Sequence, residues 1–196
     1  MFFVFGALVA GVSSCTTYLP EFQRAQMLDV GENRGSVGAY YGGHVDDQLV
    51  PGIAAFYSVG VTEHREWSTV ASLGRFSRRN GEFVAPDVLV ATGPKWSHRE
   101  GMAFTFPVGI FQSWYSEDPA FLVMPAAYFE LYPKRSQKRW AGTVFFRSEV
   151  MFSDSWRWYG ITGGFKVENR QLPWHPAINF NASPVGGAVG YSMDLF

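Results

Sequence analysis

The chain has 196 residues, of which 47% are hydrophobic and 17% aromatic but only 17% charged, against about 25% charged in soluble domains. Its formal net charge of -1 gives no sign of a nucleic-acid binder. No run reaches the roughly 18 apolar residues of a spanning helix, so any membrane crossing must be made by strands.

The first stretch, "MFFVFGALVAGVSSC", places a short apolar run at residues 2–12 ahead of small residues. That is the order of a secretory signal's core and cleavage region, although no Lys or Arg precedes it. Val12-Ser13-Ser14-Cys15 resembles the lipobox of bacterial lipoproteins. The resemblance implies cleavage before Cys15 and acylation of that cysteine. The alternative is a buried cysteine in an N-terminal hydrophobic segment. Cys15 is the only cysteine, which excludes an intrachain disulfide and CxxC metal chemistry. We divide the chain into a signal peptide over 1–14, a tether over 15–34 and a barrel domain over 35–196. Residues 16–33 are mixed and poorly periodic and read as a tether or a short helix.

From Gly35 onward the hydrophobic period is two. It predicts strands near 35–43, 51–62, 66–76, 82–92, 101–113, 120–132, 141–152, 157–168 and 187–196, with a shorter one at 176–183. Turn-forming stretches such as "SRRNGE", "YSEDP" and "ENRQLP" separate them. Pro86, Pro107 and Pro125 fall inside these ranges, where each removes a ladder donor and implies a bulge or bend. The expected fold is all-β: an antiparallel up-and-down barrel of eight to ten strands, with a short N-terminal tether.

Alternation alone leaves open which face is inside. Over 53–62 the bulky set is Ala55, Tyr57, Val59 and Val61, opposite Ala54, Phe56, Ser58 and Gly60. Over 159–167 Tyr159, Ile161, Phe165 and Val167 oppose Gly160, Thr162, Gly164 and Lys166. A water-facing set should be rich in Lys, Glu and Gln, but here the second set is mostly small residues with a few charges. That composition suits a narrow lumen, with the uncharged bulky set facing hydrocarbon. The lumen charges are then Asp87, Glu130, Arg147, Glu149, Lys166 and Asp194. They are expected to pair, because a lone charge is costly to desolvate.

The seven tryptophans all fall near strand ends or in turns. Trp67, Trp96, Trp140 and Trp174 share one rim by strand parity; Trp114, Trp156 and Trp158 share the other. Indoles favour a water–hydrocarbon boundary, so two girdles are expected. The closing stretch "GGAVGYSMDLF" alternates and ends in an aromatic residue, although Phe196 falls on the opposite parity from Leu195. Taken together, residues 15–196 resemble small bacterial outer-membrane β-barrel proteins with a lipoprotein-type signal. The resemblance implies an outer-membrane location and the lipid bilayer as partner, with anionic lipid or lipopolysaccharide as further candidates.

His44, His64, His98 and His175 are scattered among predicted turns, and no HExxH or nucleophile elbow exists. We therefore expect no catalysis, metal or cofactor, and a structural or surface-interaction role. Two alternatives stand beside it: a narrow channel for ions or small solutes, and a lipid-tethered periplasmic lipocalin-like binder of a hydrophobic ligand.

Overall fold

The computed structural model describes residues 22–44, 50–74, 77–79, 82–84, 87–112, 118–131, 139–154, 157–183 and 186–196. The wall begins with β1 (Asn33–His44), β2 (Val50–Thr62) and β3 (Arg65–Gly74). A small hairpin follows, made of β4 (Ser77–Arg79) and β5 (Glu82–Val84), and then β6 (Asp87–Arg99). Next come β7 (Met102–Thr105), β8 (Val108–Gln112), β9 (Ala120–Val123) and β10 (Ala126–Leu131). The last four are β11 (Trp140–Phe152), β12 (Arg157–Asn169), β13 (Ala177–Ser183) and β14 (Gly186–Asp194).

β7 and β8 both pair with β6 and form one interrupted stave; β9 and β10, both paired with β11, form another. Counted this way, the wall is a closed antiparallel barrel of ten strands. Neighbouring staves are consecutive in sequence. β1 pairs with β14 from Ser36↔Asp194 to His44↔Gly186 and closes the cylinder. Among the described barrel strands, closure joins the first strand to the last and so removes the edges of that sheet.

The interruptions fall at Phe106-Pro107 and Met124-Pro125, where a proline cannot donate to the ladder. The neighbouring strands adapt around them. Phe106 N–H donates to Pro94 O at 3.1 Å, Met124 N–H to Pro107 O at 2.9 Å, and Ser148 N–H to Pro125 O at 2.9 Å. Three prolines on three successive staves thus mark a slanted line across the wall. Pro86 lies outside the described residues.

The strand expected over 82–92 is instead two elements, β5 and the longer β6. The stretch "PKWSHRE", whose proline and charges resemble a loop, continues β6 as far as Arg99. Alternation explains the extension: Lys95 points inward and Trp96 outward, in register with Glu66 and Arg65 on β3. The shorter strand expected at 176–183 is present as β13.

The two faces are sharply different. Ile53, Tyr57, Ile110, Phe146, Tyr159, Ile161 and Tyr191 stand on the outer wall, each about half exposed. Between Ala39, Ala55 and Ala71 on three successive strands, the outer wall has a shallow apolar groove. Inward positions carry Gly, Ala, Ser and Thr plus most of the charged side chains that the described barrel strands bear. One end of the cylinder, the terminal rim, holds the start of β1, the turns at 63–64, 100–101 and 170–176, and the C terminus. The opposite end is the far rim.

Candidate functional site

The distinctive feature of this barrel is what fills it. Residues 22–32 precede β1 and form no helix; 22–28 run through the terminal half of the lumen, and 29–32, exposed, lie at its rim. Phe22, Gln23, Ala25 and Leu28 are buried. The Phe22 ring stacks on Phe56 of β2, with centroids 5.9 Å apart and planes within 6°.

Charged side chains of the wall hold this segment by its backbone. Lys166 Nζ donates to Phe22 O at 3.0 Å and Gln23 O at 2.6 Å. Lys95 Nζ donates to Gln26 O at 2.9 Å and to Glu66 Oε2 at 3.0 Å. Glu66 accepts the Leu28 N–H and the Ser58 hydroxyl. An irregular segment has orphan carbonyls and amides, and burying them without partners would be prohibitive. Lysines and a glutamate facing inward supply those partners, which explains charge in so tight an interior. Nearer the rim, Gly31 N–H donates to Gly60 O and Gly60 N–H to Glu32 O, both at 2.9 Å. Gly31 adopts φ of +79°, and a Cβ on Gly60 would strike the Asp29 carbonyl.

The segment also contributes a charge. Arg24 bridges Glu168 at 2.8 Å and Asp194 at 2.6 Å. Glu168 receives Arg170 at 2.6 Å and Lys166 at 3.5 Å, and Arg170 reaches Glu130 at 2.7 Å. Asp194 accepts the Ser36 hydroxyl at 2.7 Å and lies 3.0 Å from His175 Nδ1. Burial works against the Arg170 guanidinium, but its bonds to Glu168 and Glu130 outweigh that and hold its pKa above the ordinary arginine value.

Of the expected lumen charges, Glu130, Lys166 and Asp194 belong to this network. Arg147 and Glu149 form a separate buried contact at 2.8 Å. Asp87 is also buried, at the far end of β6. Sequence reasoning missed Glu66, Lys95, Glu168 and Arg170, together with Arg24 from the tether. Parity was a usable signal for Glu66 and Glu168, which alternate with the bulky outward residues of their own strands.

Trp67, Trp96, Trp140 and Trp174 lie at the terminal rim, exposed. Trp67 Nε1 donates to Thr92 Oγ1 at 2.8 Å, and the Arg139 guanidinium lies 5.9 Å from the Trp140 ring centre. Trp158 occupies the second position of β12, at the far end. Trp114, Trp156 and Cys15 lie outside the described residues. Among the described residues, no three His, Cys, Asp or Glu side chains gather as a metal set.

The far half of the lumen has another character. Ala54, Phe56, Leu89, Ala91, Ala120, Leu122, Met124 and Met151 pack there as an apolar cluster, and Phe22 joins it from the tether. Chemically, the arrangement is a lumen occupied by the protein's own chain. These features define a closed ten-stranded barrel holding its N-terminal segment inside. No protein-family model matches the sequence, and a search of curated proteins finds no match.

Proposed function

We propose that the protein is an integral outer-membrane β-barrel, sealed by residues 22–32, with a structural or surface-interaction role and no catalysis. The observation that carries this reading is the outer wall. Bulky apolar side chains cover its middle, and tryptophans stand at the terminal rim. In water that surface would be a large aggregation-prone patch; in a bilayer it is solvated by acyl chains. An indole rim beside an apolar belt fits the boundary between headgroups and hydrocarbon.

The channel alternative is less well supported, because the tether and its ion pairs occupy half the lumen. The lipocalin-like alternative needs bulky apolar residues converging on an open internal site, whereas here most of them face outward. In the membrane reading the terminal rim faces the periplasm, as both ends of the wall return there. Acylation at Cys15 remains part of the proposal, resting on the lipobox resemblance. Fractionation tests the location: the protein should partition with outer membranes, resist carbonate extraction and migrate faster on gels when unheated. Recovery in the soluble fraction without detergent would overturn the reading.

A further inference from the structure

One buried cation of the lumen takes no part in the clamp on the tether or in the ion pairs. Arg34, the second residue of β1, faces inward and is 5% exposed. Its guanidinium lies 5.7 Å from the centre of the Phe56 ring, the ring on which Phe22 stacks. Its Nε and Nη2 are sealed from solvent and, among the described residues, meet no hydrogen-bond acceptor. These two nitrogens form one edge of the guanidinium. Their N–H bonds point the same way, spaced for two oxygens of a single oxyanion. Burying such an edge without an acceptor is costly, and folded interiors seldom leave one so.

Charge points the same way. With Arg34 included, the ion network of the terminal half sets five cations (Arg24, Arg34, Lys95, Lys166 and Arg170) against four carboxylates (Glu66, Glu130, Glu168 and Asp194), without counting His175. All four acids are engaged elsewhere: Glu66 by Lys95, Glu168 by Arg24 and Arg170, Glu130 by Arg170, and Asp194 by Arg24 and Ser36. Arg147 and Glu149 balance each other. Asp87 stands at the opposite end of β6 from Lys95, roughly 26 Å along the strand. Of the charges around Arg34, the one that acts on it most strongly is another cation, Arg24. A water molecule would satisfy the open edge but leave both the surplus charge and that repulsion in place.

We propose that Arg34 is the binding site for one small oxyanion of the phosphate type, held by Nε and Nη2 inside the barrel. Its cross-strand partner Ser58 and its same-face neighbour Ser36 put little bulk beside the edge. The ion enters when the rim turn at 29–32 lifts, which opens the two backbone bonds joining Gly31 and Glu32 to Gly60. A free ion in solution fits that route; a phosphate fixed in a lipid headgroup does not.

The site needs only the barrel and the segment inside it, so it stands or falls apart from the membrane reading. The test uses the full chain in detergent micelles, or in plain buffer should the protein prove soluble. After dialysis into chloride, radiolabelled inorganic phosphate should bind saturably in equilibrium dialysis, at one ion per chain. At matched ionic strength, phosphate should raise the urea midpoint and chloride should not, because a ligand held by the folded state alone stabilises it. Arg34→Lys keeps the charge but lacks the two-pronged edge, and should weaken phosphate binding by about tenfold or more. Arg99→Lys, exposed at the rim, should leave binding unchanged. Migration of heated and unheated samples checks that each variant forms the barrel. The wild-type stoichiometry and the contrast with chloride decide the matter even if Arg34→Lys does not fold. Absence of saturable binding, equal stabilisation by chloride, full binding by a folded Arg34→Lys, or binding only when phosphatidylglycerol is added to the micelles would each overturn the proposal.

Discussion

Lys95 Nζ lies 3.0 Å from Glu66 Oε2 across β6 and β3, with neither side chain exposed to solvent. Each partner also holds the tether, the lysine through Gln26 O and the glutamate through the Leu28 N–H. The pair is therefore both an ion pair of the wall and a clamp on the segment inside it. Removing one partner leaves an uncompensated buried charge, which typically costs ~3–5 kcal/mol. We predict that Glu66→Gln and Lys95→Met each destabilise the folded barrel by about that much in urea titrations followed by tryptophan fluorescence. The double variant should lose clearly less than the sum, because no orphan charge remains. Strict additivity would mean that the two do not act together.

Ile161 is 65% exposed at the middle of β12, facing outward. Replacing it with arginine separates the two environments that the outer wall could meet. In a bilayer, arginine near the midplane costs about 2–4 kcal/mol; on a water-facing wall a surface change stays within about 0.5 kcal/mol. We expect the larger loss for Ile161→Arg in lipid vesicles and a much smaller one for Trp140→Arg at the rim. Equal and negligible effects would count against hydrocarbon contact.

Occupancy of the lumen predicts electrical silence. The intact protein should show no steady conductance in planar bilayers. Deleting residues 22–31 should produce resolvable channel steps, because their removal exposes a half-lumen lined with Lys95, Lys166, Glu66 and Glu168. The deletion's gel shift on heating checks that the barrel still forms. A folded but silent deletion variant would show that the wall side chains alone close the pore.

Two glycines on the tether's path should respond differently. A side chain at Gly60 would collide with the Asp29 carbonyl, whereas at Gly31 it would meet nothing within 4 Å. Gly60→Val should dislodge the segment and make residues 22–32 cleavable by protease. Gly31→Ala should cost only the strain of a positive φ, on the order of 1 kcal/mol, and leave the segment protected. Similar protease resistance in both variants would argue against close packing at Gly60.

The wall was legible because period-two alternation survives from Gly35 to Leu195, and parity sorted Phe145, Arg147 and Glu149 from Phe146 and Val150. The breaks at Pro107 and Pro125 were legible from the missing amide. The contents of the barrel were not. Residues 22–32 show no period because they are anchored through their backbone as well as by side chains: Lys166 and Lys95 bind carbonyls that every residue possesses. Lys95 escaped notice for a different reason. Pro94 and the charges after it imitate a loop, although the strand runs through them.

The pairing of Ser36 with Asp194 joins positions 158 residues apart in the chain. Such distant partners meet late, since their encounter waits on everything between them. The tether, by contrast, neighbours β1 and β2 in sequence and can settle against them early. The cylinder is then more naturally wrapped around an occupant already in place than filled after completion. On that view the ten-stranded wall has a mould, and that mould is the protein's own opening segment.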